Sequence, residues 1–364
     1  MNTSKKINLL GLTQRELEKF FIDIGEPKYR AVQTLKWIHK HGCLDFDQMS
    51  DLSEALRKKL HNIASLRPPL IHHQMKSKDG TIKYLIQIES GSIVEMVRIP
   101  SDNRQTLCIS SQAGCALQCS FCATGAQGFE VNLSASEIIG QLWLASFHDK
   151  KLPPITNIVF MGMGEPLLNI KPVLNSVDLM LNTNAYGISK RKITLSTSGI
   201  APEIESLPDK TDVSLALSLH APNNKLRDEL VPINKKYPLE MLMESCKKYL
   251  SYFGKRKSIT IEYIMINDVN DSYDHAVQLS NLLKQLKCKI NLIPFNSFEG
   301  NSYQQSSSEN INVFKDYLIK NGFVTTVRIT RGDEVDGACG QLSGQLLNAI
   351  KSKKSSNIEL KNIT

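Results

Sequence analysis

The chain has 364 residues, of which 41% are hydrophobic and 22% charged, and its formal net charge is +8. That length suits one large α/β domain with a small appendage. Apolar runs are strand-sized, well short of the ~20 residues of a membrane helix, and the apolar stretch near Met1 is too short for a signal peptide. Eight cysteines gathered in loops suit a reducing compartment better than a disulfide framework, so the expected location is cytoplasmic, with no membrane partner.

Residues 1–68 read as an N-terminal helical domain. Thr13 to Glu16 is a capping-box pattern ahead of an apolar face of Leu17, Phe20 and Phe21. Pro27 suits the first turn of a second helix carrying Ala31, Leu35 and Ile38. Leu52, Leu56 and Leu60 mark a third, stopped by Pro68 and Pro69. The basic run Arg57–Lys59 leaves two uses open, holding RNA or bracing the larger domain. At 69–100 the period changes to two. Residues 81–88 and 92–99 read as strands, with Asp79–Gly80 and Ser90–Gly91 as turns, giving a short β-hairpin linker.

From residue 101 to 345 strands and helices alternate. Strands are expected at 106–110, 157–161, 192–196, 213–219, 259–266 and 288–295, and a second capping box lies at Ser134–Glu137. Repeated βα units give a parallel sheet with helices outside, doubly wound or curled into a barrel. Residues 346–364 form a basic tail. The basic runs Lys190–Lys192, Lys255–Lys257 and Lys351–Lys354 favour a nucleic-acid partner modestly, since such charge attracts phosphate without reading sequence.

Chemistry concentrates where strands end. Cys115, Cys119 and Cys122 are spaced C-x3-C-x2-C directly after an apolar strand. Iron–sulfur cubanes take four ligands, so three thiolates leave one iron open, as a catalytic rather than structural site requires. No fourth Cys or His follows at zinc-knuckle spacing. Gly162–Pro166 offers glycines that let a ligand approach and Glu165 to accept from an ammonium group. Ser196–Gly199, Ser218–Ala221 and Asn296 add hydroxyl, imidazole and amide groups at successive strand ends. Each alone could be a turn residue satisfying backbone; together they suggest a cofactor shell, in which His220 could titrate or serve as a structural donor. Cys339 sits between glycines in an exposed-looking loop, and Cys108 lies on the strand leading into the cysteine loop. Cys43, Cys246 and Cys288 read as packing residues.

The three-cysteine loop resembles the signature of the radical S-adenosylmethionine superfamily. That likeness implies a partial (β/α)6 barrel, a [4Fe-4S] cluster on Cys115, Cys119 and Cys122, and S-adenosylmethionine held through Gly164, Glu165, Ser196, Ser218, Leu219, His220 and Asn296. The segments 110–115, 162–169, 196–199, 218–234 and 331–340 resemble, more narrowly, the RNA adenine-C2 methyltransferases. Departures are slight: Ser297 stands where proline is frequent and Gly337 where alanine is common. The family resemblance implies methylation of adenine C2 in 23S rRNA and at the tRNA base 3′ of the anticodon, with two S-adenosylmethionine molecules per turnover. It further implies that Cys339 carries the methyl group, that Cys108 resolves the RNA adduct through a transient disulfide, and that Glu95 is the base. A low-potential, flavodoxin-like electron donor and a monomeric state complete the expectation. Competing readings are a sister adenine-C8 rRNA methyltransferase, a non-catalytic iron–sulfur RNA-binding protein and a glycyl-radical activase.

Overall fold

A computed structural model describes residues 6–328 and 331–342. The expected tail at 346–364 and the last residues of the expected core lie outside the described residues.

The helical unit is tied off by a short parallel pair, β1 (Ile7–Asn8) with β2 (Ala64–Ser65). Between them run α1 (Gln14–Asp23), α2 (Arg30–His39) and α3 (Glu54–Ile63). The capping box forms: Thr13 Oγ1 accepts from the Glu16 amide while the Glu16 carboxylate accepts from the Thr13 amide at 2.9 Å, an arrangement worth about 1 kcal/mol. Leu17, Phe20 and Phe21 are buried on α1, and Ala31, Leu35 and Ile38 on α2. Pro27 does not open α2. It sits one turn earlier, its carbonyl accepting from Arg30 N, because the chain enters the helix through a 3₁₀-like turn. Likewise α3 ends at Ile63, before Pro68, where the chain straightens into β2.

The basic run on α3 is spent internally. Arg57 donates to the Asp47 carbonyl, Lys59 to the Ile24 carbonyl, and Lys58 pairs with Glu54 along the helix at 2.6 Å. These contacts lie within the helical unit and touch neither of the two uses left open. The unit docks on the flank of the main domain. Trp143 Nε1 donates to the Ile38 carbonyl at 3.0 Å, Asn175 donates to Glu16, and buried His39 meets Tyr186 Oη at 3.2 Å. Gly11 lies so close to Ser136 that a Cβ would fall 2.3 Å from its amide nitrogen.

The main sheet has ten strands. Next to the helical unit come β3 (Leu70–Lys76), β4 (Ile82–Gln87) and β5 (Ile93–Ser101), an antiparallel meander. The expected hairpin is therefore joined by a third strand, and β5 pairs antiparallel with β6 (Arg104–Cys108), so that the segment extends the main sheet. The cysteine loop follows, flanked by the small ladder of β7 (Gln112–Gly114) and β8 (Phe129–Asn132), with α4 (Ala123–Gln127) between them. Then α5 (Ala135–Phe147), opened by the second capping box, leads to β9 (Asn157–Phe160) and α6 (Ile170–Leu181). The alternation continues through β10 (Ile193–Thr197), α7 (Ala201–Ser206), β11 (Ser214–Ser218), α8 (Asn224–Leu230) and α9 (Leu239–Phe253). It closes with β12 (Ile259–Met265), α10 (Tyr273–Leu283), β13 (Cys288–Pro294), α11 (Ser308–Lys320) and β14 (Val324–Val327).

The order β14-β13-β12-β11-β10-β9-β6-β5-β4-β3 is parallel from β6 to β14. This is a partial barrel: the six expected strands all form, and β14 adds one more beyond them. Buried aliphatic residues such as Ile158, Leu195, Leu217, Ile261 and Ile290 make the core. The C-terminal ends of β9 to β13 and the residue just past β14, where such folds place ligands, line one cavity.

Candidate active site

Cys115, Cys119 and Cys122 line this cavity together. Their loop is held by tight backbone approaches. Gly114 has φ +70°, and a Cβ there would fall 1.8 Å from the Gly128 carbonyl oxygen; Cys115 N donates to that same carbonyl at 2.9 Å. Burial pushes the Cys115 thiol up to about 12, and raises Cys119 and Cys122 as well. Such sulfurs ionise when a metal binds them. Three thiols on one short loop at the cavity wall are the donor set that leaves one iron of a [4Fe-4S] cluster without a protein ligand. The donor set fits the cluster.

On the facing rim, Glu165 is buried and accepts from Ser198 N at 2.7 Å and Leu167 N at 3.1 Å. Burial pushes its carboxyl up to about 7 despite those bonds. Gly164 has φ +95°, and a Cβ would clash with Gln112 at 2.5 Å; Gln112 in turn accepts from Glu165 N at 2.8 Å. Ser196 and Ser218 face the cavity with their hydroxyls 3.4 Å apart. His220 adopts a left-handed φ of +61°. Its Nδ1 accepts from Ile264 N at 3.1 Å, and its ring meets Phe121 edge-on. Burial, with Arg227 nearby, lowers it to about 3. Burial thus favours the neutral imidazole, and the bond accepted at Nδ1 puts its proton on Nε2. Leu219 lies wholly buried behind the rim, its amide donating to the Glu262 carbonyl and its carbonyl accepting from Arg227.

Cys339 lines the same cavity. Its neighbour Gly340 accepts from Ala123 N at 2.8 Å, which fastens the loop of Cys339 to the cysteine loop. Asn296 stands apart from the main cavity. It borders a smaller adjoining one, where its amide donates to the Cys339 carbonyl at 3.2 Å. Cys108 is buried on β6, pushed up to about 12 chiefly by burial and further by Cys339. All eight cysteines are free thiols. Cys43 and Cys246 are buried and Cys288 half-buried. Glu95 does not line the cavity. It is fully buried on β5, paired with Lys83 at 2.9 Å.

Sequence reasoning missed three groups. Arg328, just past β14, lines the cavity with Cys339 and Glu262, and the charges of Cys339, Glu262 and Cys108 hold its guanidinium above its ordinary pKa. Glu262 on β12 lines the cavity and accepts from Asn291 at 2.7 Å. Arg227 on α8 cross-braces the rim, donating to the carbonyls of Ser198 and Leu219 and to Asn234 Oδ1. The 218–234 resemblance held Arg227 and Asn234 without saying why; nothing local marks Arg328 or Glu262.

A partial barrel with three thiolates and a carboxylate-bearing glycine turn at its strand ends defines the radical S-adenosylmethionine enzymes. The radical SAM superfamily model matches residues 109–279, and the ribosomal RNA large subunit methyltransferase N-terminal domain matches residues 7–66. The dual-specificity RNA methyltransferase RlmN of Pseudomonas fluorescens (strain SBW25) is 54% identical over 357 residues, covering 96% of this chain and 94% of its own length. That of Pseudomonas putida (strain W619) is 54% identical over 95% of this chain and 92% of its own. A crystal structure of a radical SAM methyltransferase from Sphaerobacter thermophilus superposes with a TM-score of 0.88 at 39% identity, covering 93% of this chain and 99% of that one. The chain belongs to the dual-specificity RNA methyltransferase family, S-adenosylmethionine-dependent enzymes that carry an iron–sulfur cluster.

Proposed function

We propose that the protein methylates C2 of adenine in 23S rRNA and in tRNA at the base 3′ of the anticodon, consuming two S-adenosylmethionine molecules per turnover. The observation that carries this reading is the position of Cys339, in one cavity with the three cluster cysteines and in electrostatic reach of Cys108. A non-catalytic iron–sulfur protein, or a glycyl-radical activase, needs no second thiol there.

Cys115, Cys119 and Cys122 would hold the [4Fe-4S] cluster. When bound, the cluster supplies the electron that turns S-adenosylmethionine into a hydrogen-abstracting radical source, which an electron-poor C2 carbon requires. Glu165 accepts from the ammonium of S-adenosylmethionine, with Gly164, Ser196, Ser218, Leu219 and His220 shaping the pocket and Asn296 steadying the carrier loop. Cys339 acts first as a nucleophile and carries the methyl group. Arg328 lines the same cavity as this thiol. Once the carried carbon is joined to C2 and the adduct has returned its unpaired electron to the cluster, Glu95 would take the C2 proton through a change that frees it from the buried pair with Lys83. Cys108, as thiolate, would then attack the Cys339 sulfur, and a disulfide forms. The electron pair of the broken carbon–sulfur bond takes up a proton at the carbon left on C2 to complete the methyl group, and a cellular thiol reductant reopens the disulfide.

The division into 1–68, 69–100, 101–345 and 346–364, a flavodoxin-like electron donor, a monomer and a cytoplasmic site of action belong to the same proposal. Among the described residues no helix is long and apolar enough to cross a membrane. The test is nucleoside mass spectrometry after anaerobic reconstitution with S-adenosylmethionine, reductant and unmodified rRNA and tRNA. 2-Methyladenosine is expected; 8-methyladenosine would move the protein to the sister activity, and no methyladenosine from cluster-loaded protein would overturn the reading.

A further inference from the structure

Lys83 lies on β4 with its side chain only 1% exposed. A fully buried ammonium is retained only when it is paired and hydrogen-bonded. Its Nζ sits 2.9 Å from the Glu95 carboxylate, itself wholly buried, and donates to the Asp336 carbonyl at 3.0 Å. Asp336 is three residues before Cys339 and is held at a left-handed φ of +48°. One ammonium therefore touches both the carboxylate on β5 and the loop of the carrier thiol, across 253 residues of sequence.

The surrounding contacts point the same way. The Gly332 amide donates to Asp79 Oδ2 at 3.0 Å, and Lys78 pairs with Glu334 at 2.8 Å, so the loop is pinned along the turn before β4. Those two contacts are at the surface or partly exposed; Lys83 is the pin that is buried. On the facing strands Leu85 stands opposite Glu95, Lys83 opposite Val97, and Val97 opposite Cys108. Side chains two apart on a strand share a face, so Lys83, Glu95 and Cys108 point to the same side of the sheet.

We propose that Lys83 is a positioning residue that latches the Cys339 loop to the base Glu95, so that methyl carrier and base meet the same adenine from fixed directions. The base assignment rests on the function proposed above; the latch does not.

The test uses Lys83→Met, Glu95→Gln and the double variant K83M/E95Q, which leaves no lone buried charge if K83M alone fails to fold. In cluster-free protein, carbamidomethylation of Cys339 by iodoacetamide, read by peptide mass spectrometry, should quicken at least threefold in K83M or the double variant. It should stay near wild type in E95Q, which keeps the bond to Asp336. In loaded enzyme, K83M should lower kcat for RNA at least tenfold with KM within twofold of wild type, and should accumulate protein–RNA adduct as E95Q does. Wild-type labelling rates in a folded Lys83 variant would overturn the latch. A K83M enzyme that turns over normally while E95Q stalls would overturn its service to the base. If E95Q itself turns over normally, the base assignment above fails instead, and the labelling arm still decides the latch.

Discussion

Cys108 illustrates how one side chain can wait its turn. Its thiol is pushed up to about 12, by burial first and then by Cys339, while Arg328 pulls the other way. A neighbouring thiolate disfavours a second one. Under the proposed function, the Arg328 that pulls the Cys108 thiol down is the group that would aid its attack on the Cys339 sulfur. Cys108→Ala should therefore trap RNA covalently on the protein, seen as a shifted band on a denaturing gel that thiols do not release; clean turnover would sink the role. Gly164 is a second residue whose identity is forced. At φ +95° with Gln112 2.5 Å from a would-be Cβ, Gly164→Ala combines an unfavourable conformation with a clash, each on the order of 1–3 kcal/mol. The expected result is a lower melting temperature and weakened S-adenosylmethionine binding by calorimetry; unchanged values for both would show that the turn has room.

At the level of elements, the joint between helical unit and barrel is sensitive to acid. His39 is buried, and its pKa is lowered from 6.5 to about 3 by loss of solvation. A histidine depressed in the folded state contributes stability above its unfolded pKa, and that contribution is lost as pH falls from 6.5 toward 3. While the unfolded chain binds the extra proton, stability falls by about 1.4 kcal/mol per pH unit per such histidine. His220 is displaced the same way, so His39→Gln should remove about half of the two histidines' combined slope in denaturant-melt stabilities between pH 6 and 4. An identical slope in wild type and variant would show that His39 does not titrate on unfolding. These elements also show what the sequence could reveal. Capping boxes and alternation are local, so Thr13–Glu16, Ser134–Glu137 and the six parallel strands could be read directly. The docking of α2 on α5 through Trp143 and Ile38 spans 105 residues and leaves no local mark. The third strand of the meander was hidden for another reason: Leu70–Lys76 is an edge strand, mostly exposed on both faces, and lacks the apolar alternation that betrays a half-buried one.

Across the whole molecule, charge reads differently in three dimensions than along the chain. The cations of Arg57–Lys59 are occupied within the helical unit, Lys190 pairs with Asp212, and Lys257 caps the carbonyls of Asp212 and Val213. Counting runs therefore overstates the surface left for phosphate. The cluster loop was legible because three thiols at fixed spacing have few other uses. Lys83 and Arg328 were not, because a lone cation on a strand or just beyond one ordinarily faces water, and only the closed sheet shows these two turned inward.

The contacts of the Cys339 loop reach back to residues 77–83 from more than 250 positions later in the chain. During synthesis, then, the order of emergence matters. The helical unit can fold first and offer the surface around Leu9–Gly11 to α5 as that helix leaves the ribosome, since domains generally fold as units from the N-terminus. All three cluster cysteines emerge long before Cys339. A nascent or prematurely terminated chain would thus own Cys115, Cys119 and Cys122 but not Cys339, and so would lack the thiol on which the proposed methyl transfer depends.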